Sequence, residues 1–256
     1  MYTDTEGIVL KLTKTASGRR MITVLTRRYG KISAGTSINE GGKNKSALAL
    51  RPFSYGRYDI FKNKDNYNIN GAEIIQSFFS IGEDVDRYIG ASYGLELADR
   101  VLEEGQPSPA FFSLLLDFMS CIEKRKKAYG TLIIAYQLKI LALSGCAPVL
   151  DQCARCGHTL LPSNGGSANG ISAFSVEDGG IICQSCRTER DDLNPLVFPA
   201  SDTLVQVLSF MESHSLQSLE NLALDPSTQA QASRIMKAYI SHHLGVSNLK
   251  CEDINY

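Results

Sequence analysis

Four cysteines in two tight pairs, Cys153-x-x-Cys156 and Cys183-x-x-Cys186, are the residues of this chain best spaced to do chemistry. Two such hooks supply the four thiolates that tetrahedral zinc takes. Four sulfurs also close the coordination shell, whereas a catalytic zinc keeps one position for water. The spacing therefore predicts one structural Zn2+ per chain. Gly157 follows the first hook and can relax the backbone where it turns around a metal. The hooks are 26 residues apart, more than the roughly 15–20 of the usual four-cysteine pattern. A Gly/Ser/Asn-rich stretch at 163–170 accounts for the excess, because closure cost grows slowly with loop length. Phe174, Val176, Ile181 and Ile182 around Asp178-Gly179-Gly180 read as a hairpin that delivers the second hook.

Other chemistries lack their residues. A nucleotide deaminase needs His-x-Glu and Pro-Cys-x-x-Cys, but Thr159 and Leu160 follow His158 and Gln152 precedes Cys153. A redox Cys-x-x-Cys starts a helix in a thioredoxin-like context, and none is apparent. Gly-x-x-x-x-Gly-Lys-Ser/Thr, Gly-x-Gly-x-x-Gly and His-Glu-x-x-His do not occur. His214, His242 and His243 have no acid or nucleophile partner in sequence, and Cys121, Cys146 and Cys251 read as structural. The expectation is a protein that is not an enzyme and has no small-molecule substrate.

A second chemistry is electrostatic. Net charge is only −1, yet residues 1–64 hold 13 Lys+Arg against 4 Asp+Glu, a balance of +9, and the remainder holds 13 against 23, a balance of −10. Such asymmetry points to a polyanion partner for the basic part. The candidate DNA contacts are Lys11, Lys14, Arg19, Arg20, Arg27, Arg28, Lys31, Lys43, Lys45 and Arg51, with Tyr29, Phe53, Tyr55, Tyr58 and Phe61 interleaved. Cations neutralise phosphates and aromatics stack on unpaired bases without reading them, which suits binding without sequence preference. Some of the aromatics, Phe53 and Tyr55 among them, are expected to fill a core instead. Asn39–Lys45 reads as an exposed loop, either a solvated linker or a DNA contact. A second basic run, Lys124-Arg125-Lys126-Lys127, has three readings: helix-dipole compensation, an anion site, or a patch for an acidic peptide.

The elements that must position these residues follow from hydrophobic period. Ile8, Leu10 and Leu12 alternate with polar or opposite-facing neighbours, and further strand candidates are Arg19–Thr26, Lys31–Thr36, Phe53–Phe61 and Tyr67–Ile75. Five short strands in about 70 residues predict a small barrel, OB-fold or SH3-like. From Ser80 the period becomes helical: Val85 to Leu102, then Ser108-Pro109 opening a helix to Ile122, then Thr131 to Ser144. After the cysteine segment it returns at Asp202–Ser213 and Thr228–Leu244. The Leu132–Leu143 stretch is too short to span a membrane, which takes about 20 apolar residues. Met1–Glu6 has neither the basic start nor the apolar run of a signal peptide, so a cytoplasmic location is expected.

Glu6-Gly7-Ile8-Val9-Leu10-Lys11, Leu25-Thr26-Arg27-Arg28-Tyr29-Gly30-Lys31-Ile32-Ser33 and Arg51-Pro52-Phe53 resemble the opening of the RecO family. The likeness continues in order through five further landmarks: Ala91-Ser92-Tyr93 with Glu96-Leu97, Leu143-Ser144-Gly145-Cys146-Ala147-Pro148, Phe174-Ser175, Gly179-Gly180, and Leu244-Gly245 with Leu249-Lys250. Where the family has a more basic loop, this chain has Ile38-Asn39-Glu40. The resemblance implies an α+β multidomain protein: an N-terminal OB-fold at 1–79, a helical domain at 80–150 and 197–256, and an inserted four-cysteine zinc module at 151–196. It also implies a recombination mediator of bacterial DNA repair. Such a protein binds single- and double-stranded DNA, anneals complementary strands and, with RecR, helps load RecA onto DNA coated by single-stranded-DNA-binding protein (SSB). The acidic C-terminal tail of SSB is expected at Lys124–Lys127. A zinc-ribbon module of transcription or translation is the alternative of another class, as is a nuclease or thiol oxidoreductase.

Overall fold

The computed structural model describes residues 2–16, 18–38, 45–64, 66–160 and 170–250. Lys43, the side chain of Lys45, Cys251 and all but the last residue of the 163–170 stretch lie outside the described residues. By packing, the chain forms two units: Met1–Arg125 with the stretch from Leu249, and Lys126–Asn248.

The first unit opens with five strands: β1 (Tyr2–Lys14), β2 (Arg20–Thr26), β3 (Gly30–Thr36), β4 (Ser54–Asn63) and β5 (Asn66–Ser77). They close into a barrel in the order β1-β2-β3-β5-β4. All neighbours run antiparallel except β3 and β5, which pair in parallel from Ala34↔Tyr67 to Thr36↔Ile69. That closing pair, with a short helix α1 (Lys45–Ala49) between β3 and β4, makes the barrel OB-like, a choice that strand periodicity leaves open. Val9, Ile22, Val24, Ile32, Ala34, Leu50, Tyr58, Ile60 and Ile69 fill it. The Tyr58 hydroxyl satisfies itself in this core by donating to the Ala49 carbonyl at 2.7 Å. Burial alone pushes its pKa well above the usual phenol value.

Two local expectations change. Ile8, Leu10 and Leu12 were expected to share one face of β1, but the register shifts between Val9 and Lys11. A bulge of this kind reverses the alternation, so Val9 and Leu12 face the barrel core. Ile8 and Leu10 are buried outside that cluster, and α2 packs on β1. The short α1 was not foreseen, because five residues are too few to display a helical period.

Helices α2 (Val85–Val101) and α3 (Pro109–Lys124) complete the unit and pack on each other. Their starts are where capping chemistry puts them. Asp84 accepts from the Arg87 N–H, and Ser108 accepts from the Phe111 N–H with Pro109 next in line. The loop between them presses on the barrel, and the Gly105 N–H donates to the Lys31 carbonyl at 2.9 Å.

In the second unit α4 (Tyr129–Leu143) is buried on nearly every side, as a helix apolar all round must be. Against it pack α5 (Asp202–Ser213) and α6 (Pro226–Leu244), capped by Ser201 and Asp225. A three-stranded antiparallel sheet of β6 (Ile171–Ser175), β7 (Gly180–Cys183) and β8 (Val197–Pro199) has the order β7-β6-β8. Tyr239 and His243 of α6 hold the β6–β7 turn, donating to the Gly179 carbonyl at 3.3 Å and the Val176 carbonyl at 2.7 Å. The boundary by packing falls at 125/126, so α2 and α3 go with the barrel and α4 to α6 with the cysteine module. Division by element type, as read from the sequence, is a different cut of the same chain.

Candidate metal centre and nucleic-acid interface

The sulfurs of Cys153, Cys156, Cys183 and Cys186 gather within 4.8 Å of one another. The first hook is a tight turn: Cys153 N–H donates to the His158 carbonyl and Gly157 N–H to the Cys153 carbonyl, both at 2.8 Å. Gly157 has φ +72°, the left-handed conformation that closes it. The second hook follows β7 directly, with Cys186 N–H and Arg187 N–H on the Cys183 carbonyl at 3.1 and 3.2 Å. The hairpin read from the sequence joins them, since Ala154 N–H donates to the Ile181 carbonyl at 2.8 Å.

The donor set fits a thiophilic metal ion. Zinc–sulfur bonds of about 2.3 Å in a tetrahedron put sulfurs somewhat under ~4 Å apart, and Cys156 and Cys183 Sγ lie 3.9 Å apart. Cys153 and Cys183 are 1% exposed, while Cys156 faces solvent. Burial pushes the Cys153 thiol up, but the N–H groups of Cys183, Cys156 and Arg155 outweigh it and bring the group down to about 6. Metal binding takes the thiolate form of each cysteine.

The candidate DNA cations do not form one surface. Lys11 and Lys31 both turn to Asp99 of α2: Lys11 Nζ lies 2.6 Å from its carboxylate, and Lys31 reaches both its carboxylate and its carbonyl. The Lys31 side chain is only 11% exposed. Arg27 pairs with Glu6 at 3.0 Å and lies 4.5 Å over the Phe112 ring. Tyr55 donates to the same Glu6 carboxylate at 2.8 Å. This hydrogen bond, ahead of Arg27, holds Glu6 below the usual carboxylate range against its partial burial. Arg27 therefore fastens barrel to helix. Arg27→Glu is expected to cost about 1–2 kcal/mol, the sum of a partly exposed cation–π contact and ion pair. Urea unfolding checks this against Arg51→Glu, an exposed control that should change stability by less than about 0.5 kcal/mol. Equal stability of the two variants would contradict it.

The remaining cations fall into two groups. In one, Lys14 stands opposite Arg20 in the β1–β2 register, and Arg19 crosses Gly35 of β3 to donate to Asn68, the neighbour of Tyr67, at 2.6 Å. In the other, Arg28 of the β2–β3 turn donates to the Thr3 hydroxyl at the start of β1 at 3.0 Å, and Tyr29 reaches the start of β5. There two rings are flanked by two cations. The Arg28 guanidinium is 5.5 Å from the Tyr29 ring, Tyr29 and Tyr67 are 6.1 Å apart, and Lys62 Nζ is 5.3 Å over Tyr67. The exposed Tyr2 ring lies tilted against Phe61, centroids 4.8 Å apart. Sequence reasoning named Arg28 and Tyr29 but missed Tyr67 and the part of Lys62 as a contact. The cue was hairpin register, which sets Lys62 opposite Tyr67. Arg51 is exposed after α1. In the second basic run Lys124, Lys126 and Lys127 are exposed, but Arg125 is 6% exposed and caps α3. Those four residues do not make a uniform cationic face.

Comparison with known proteins agrees over the whole chain. A family model described as Recombination protein O N terminal matches residues 1–78, and one described as Recombination protein O C terminal matches residues 82–252. The DNA repair protein RecO of Alkaliphilus metalliredigens (strain QYMF) is 30% identical over 257 residues, covering 99% of this chain and 98% of the relative. That of Bacillus pumilus (strain SAFR-032) is 30% identical over 248 residues, covering 96% and 91%. No described helix is long and apolar enough to cross a membrane.

Proposed function

The chain belongs to the recombination protein O (RecO) family of DNA repair proteins, and on that premise we propose that it is a recombination mediator of the cytoplasm. It binds single- and double-stranded DNA without reading sequence and anneals complementary strands. With RecR it helps RecA replace SSB on coated DNA, the acidic tail of SSB being a partner. No catalytic step is assigned to it. Zinc is the metal proposed for Cys153, Cys156, Cys183 and Cys186, where it supplies a cross-link between the hooks and no reacting position.

The observation that carries the DNA part is the Arg28–Tyr29–Tyr67–Lys62 row. Cations that neutralise phosphates release the counterions condensed on the nucleic acid, and rings offer stacking surface to any base. Lys14, Arg19 and Arg20 extend the basic surface to the far ends of β2 and β3. Seven residues of strand span ~23 Å, comparable to the few nucleotides an OB barrel takes.

The test is Arg28→Glu with Lys62→Glu, read by anisotropy of labelled single and double strands over a range of salt. Affinity should fall at least about tenfold for every sequence, and the single-strand salt slope should drop by ~1.4, two contacts at ~0.7 each. Parental affinity and slope in a folded variant would remove the row from the DNA site. For the mediator role, annealing of SSB-coated complementary strands is measured with and without RecR. Annealing no faster than the spontaneous rate under both conditions would defeat that reading.

A further inference from the structure

Arg155 lies inside the first hook, between Cys153 and Cys156, and all three of its guanidinium nitrogens are engaged. Nε donates to Asp178 Oδ2 at 2.9 Å. Nη1 donates to the Cys186 carbonyl and to Asp191 Oδ2, both at 2.8 Å. Nη2 donates to Asp191 Oδ1 at 2.8 Å and lies 2.8 Å from Asp178 Oδ2. The acceptors come from three separate places: the β6–β7 turn, the second hook itself, and the turn that follows it. Each acceptor is held in its own right. Asp191 is buried and also takes the Thr188 N–H at 2.7 Å and hydroxyl at 3.1 Å, while Ser175 accepts from the Asp178 N–H at 3.2 Å. A planar fork bound on two edges fixes orientation as well as distance, which a single ammonium does not.

Resting on the reading of the four cysteines as a zinc centre, we infer that Arg155 is the positioning residue of that centre. It ties the first hook to the second through Cys186, Asp191 and Asp178, so the four sulfurs stay gathered before a metal arrives. Arg155 itself contributes no ligand. Its effect is on affinity, because a site already assembled needs less rearrangement on binding. Arg187 provides the contrast: it also adjoins the second hook, but its side chain bonds Asp192 and Ser172 and reaches no part of the first.

The experiment uses the full chain, stripped of metal. It is titrated with Zn2+ against a chromophoric chelator, and separately with Co2+ while the sulfur-to-cobalt and d–d bands are recorded. Arg155→Lys and Asp191→Asn should each bind Zn2+ about 10–100-fold more weakly, with the saturated Co2+ spectrum still that of four sulfurs in a tetrahedron. Arg187→Lys should stay within about threefold of the parent. In Arg155→Ala, added methylguanidinium should restore part of the affinity and methylammonium should not. Parental affinity in Arg155→Lys and Asp191→Asn overturns the inference, as does an equal loss in Arg187→Lys or rescue by both cations alike. If Arg155→Lys does not fold, Asp191→Asn decides on the same criterion. A parent chain that takes up neither Zn2+ nor Co2+ fails at the zinc reading itself, which separates the two failures.

Discussion

Cys183→Ser is expected to abolish stoichiometric metal binding and to destabilise the second unit by at least about 3 kcal/mol. Cys183 is built closely into the fold. It ends β7, it is 1% exposed, its carbonyl receives the N–H groups of Cys186 and Arg187, and its own N–H points at Cys153 Sγ at 3.4 Å. In isolated zinc peptides the metal supplies roughly 10–16 kcal/mol of apparent folding energy. The loss here should be smaller, because strand pairing, α6 and the Arg155 contacts also hold the module together. Elemental analysis of protein purified without chelator should give one zinc per chain for the parent and essentially none for the variant. Cys146→Ser, at a half-buried cysteine outside the sulfur cluster, should keep its zinc. A metal-free parent, or a full equivalent retained by Cys183→Ser, would exclude this centre.

Gly30→Ala is expected to destabilise the first unit by a comparable amount, at least about 3 kcal/mol. Gly30 begins β3 with φ +67°, which costs an L-residue about 1–2 kcal/mol by itself. A Cβ there would also stand 2.0 Å from the Gln106 carbonyl oxygen and 2.3 Å from its carbon, both backbone atoms that cannot swing aside. The loop between α2 and α3 would have to lift off the barrel, taking with it the Gly105-to-Lys31 hydrogen bond. Gly18 separates the two costs. It has φ +78° with nothing near its missing Cβ, so Gly18→Ala should lose only about 1 kcal/mol. Urea unfolding of both variants provides the comparison, and similar losses would mean that the close approach to Gln106 contributes nothing.

Much of this was legible without coordinates wherever the signal was local. The Cys-x-x-Cys hooks, the Asp178-Gly179-Gly180 hairpin and the helix start at Ser108-Pro109 each depend on a few consecutive residues, and each appears where its spacing places it. The barrel was legible as five strands, but not its closure, because the period of two is the same in every small barrel. The β1 bulge was illegible for a related reason: a one-residue slip leaves composition unchanged and reverses which side chains face inward.

The sequence by itself determined the family, the four cysteines that could hold a metal and the basic character of the first 64 residues, since these rest on residue identity and short spacing. Only the tertiary structure decided which cations are spent on the protein itself. Lys31 meets Asp99 across 68 residues, and Arg27 meets Phe112 on α3, so both have partners within the protein that their charge alone does not reveal. Barrel closure brought Tyr67 beside Tyr29, and folding of the second unit brought Asp191 under Arg155. A charged side chain pairs with whatever partner folding brings within a few ångströms, and for segments distant in sequence that partner is set by strand register and helix docking, which no local pattern encodes.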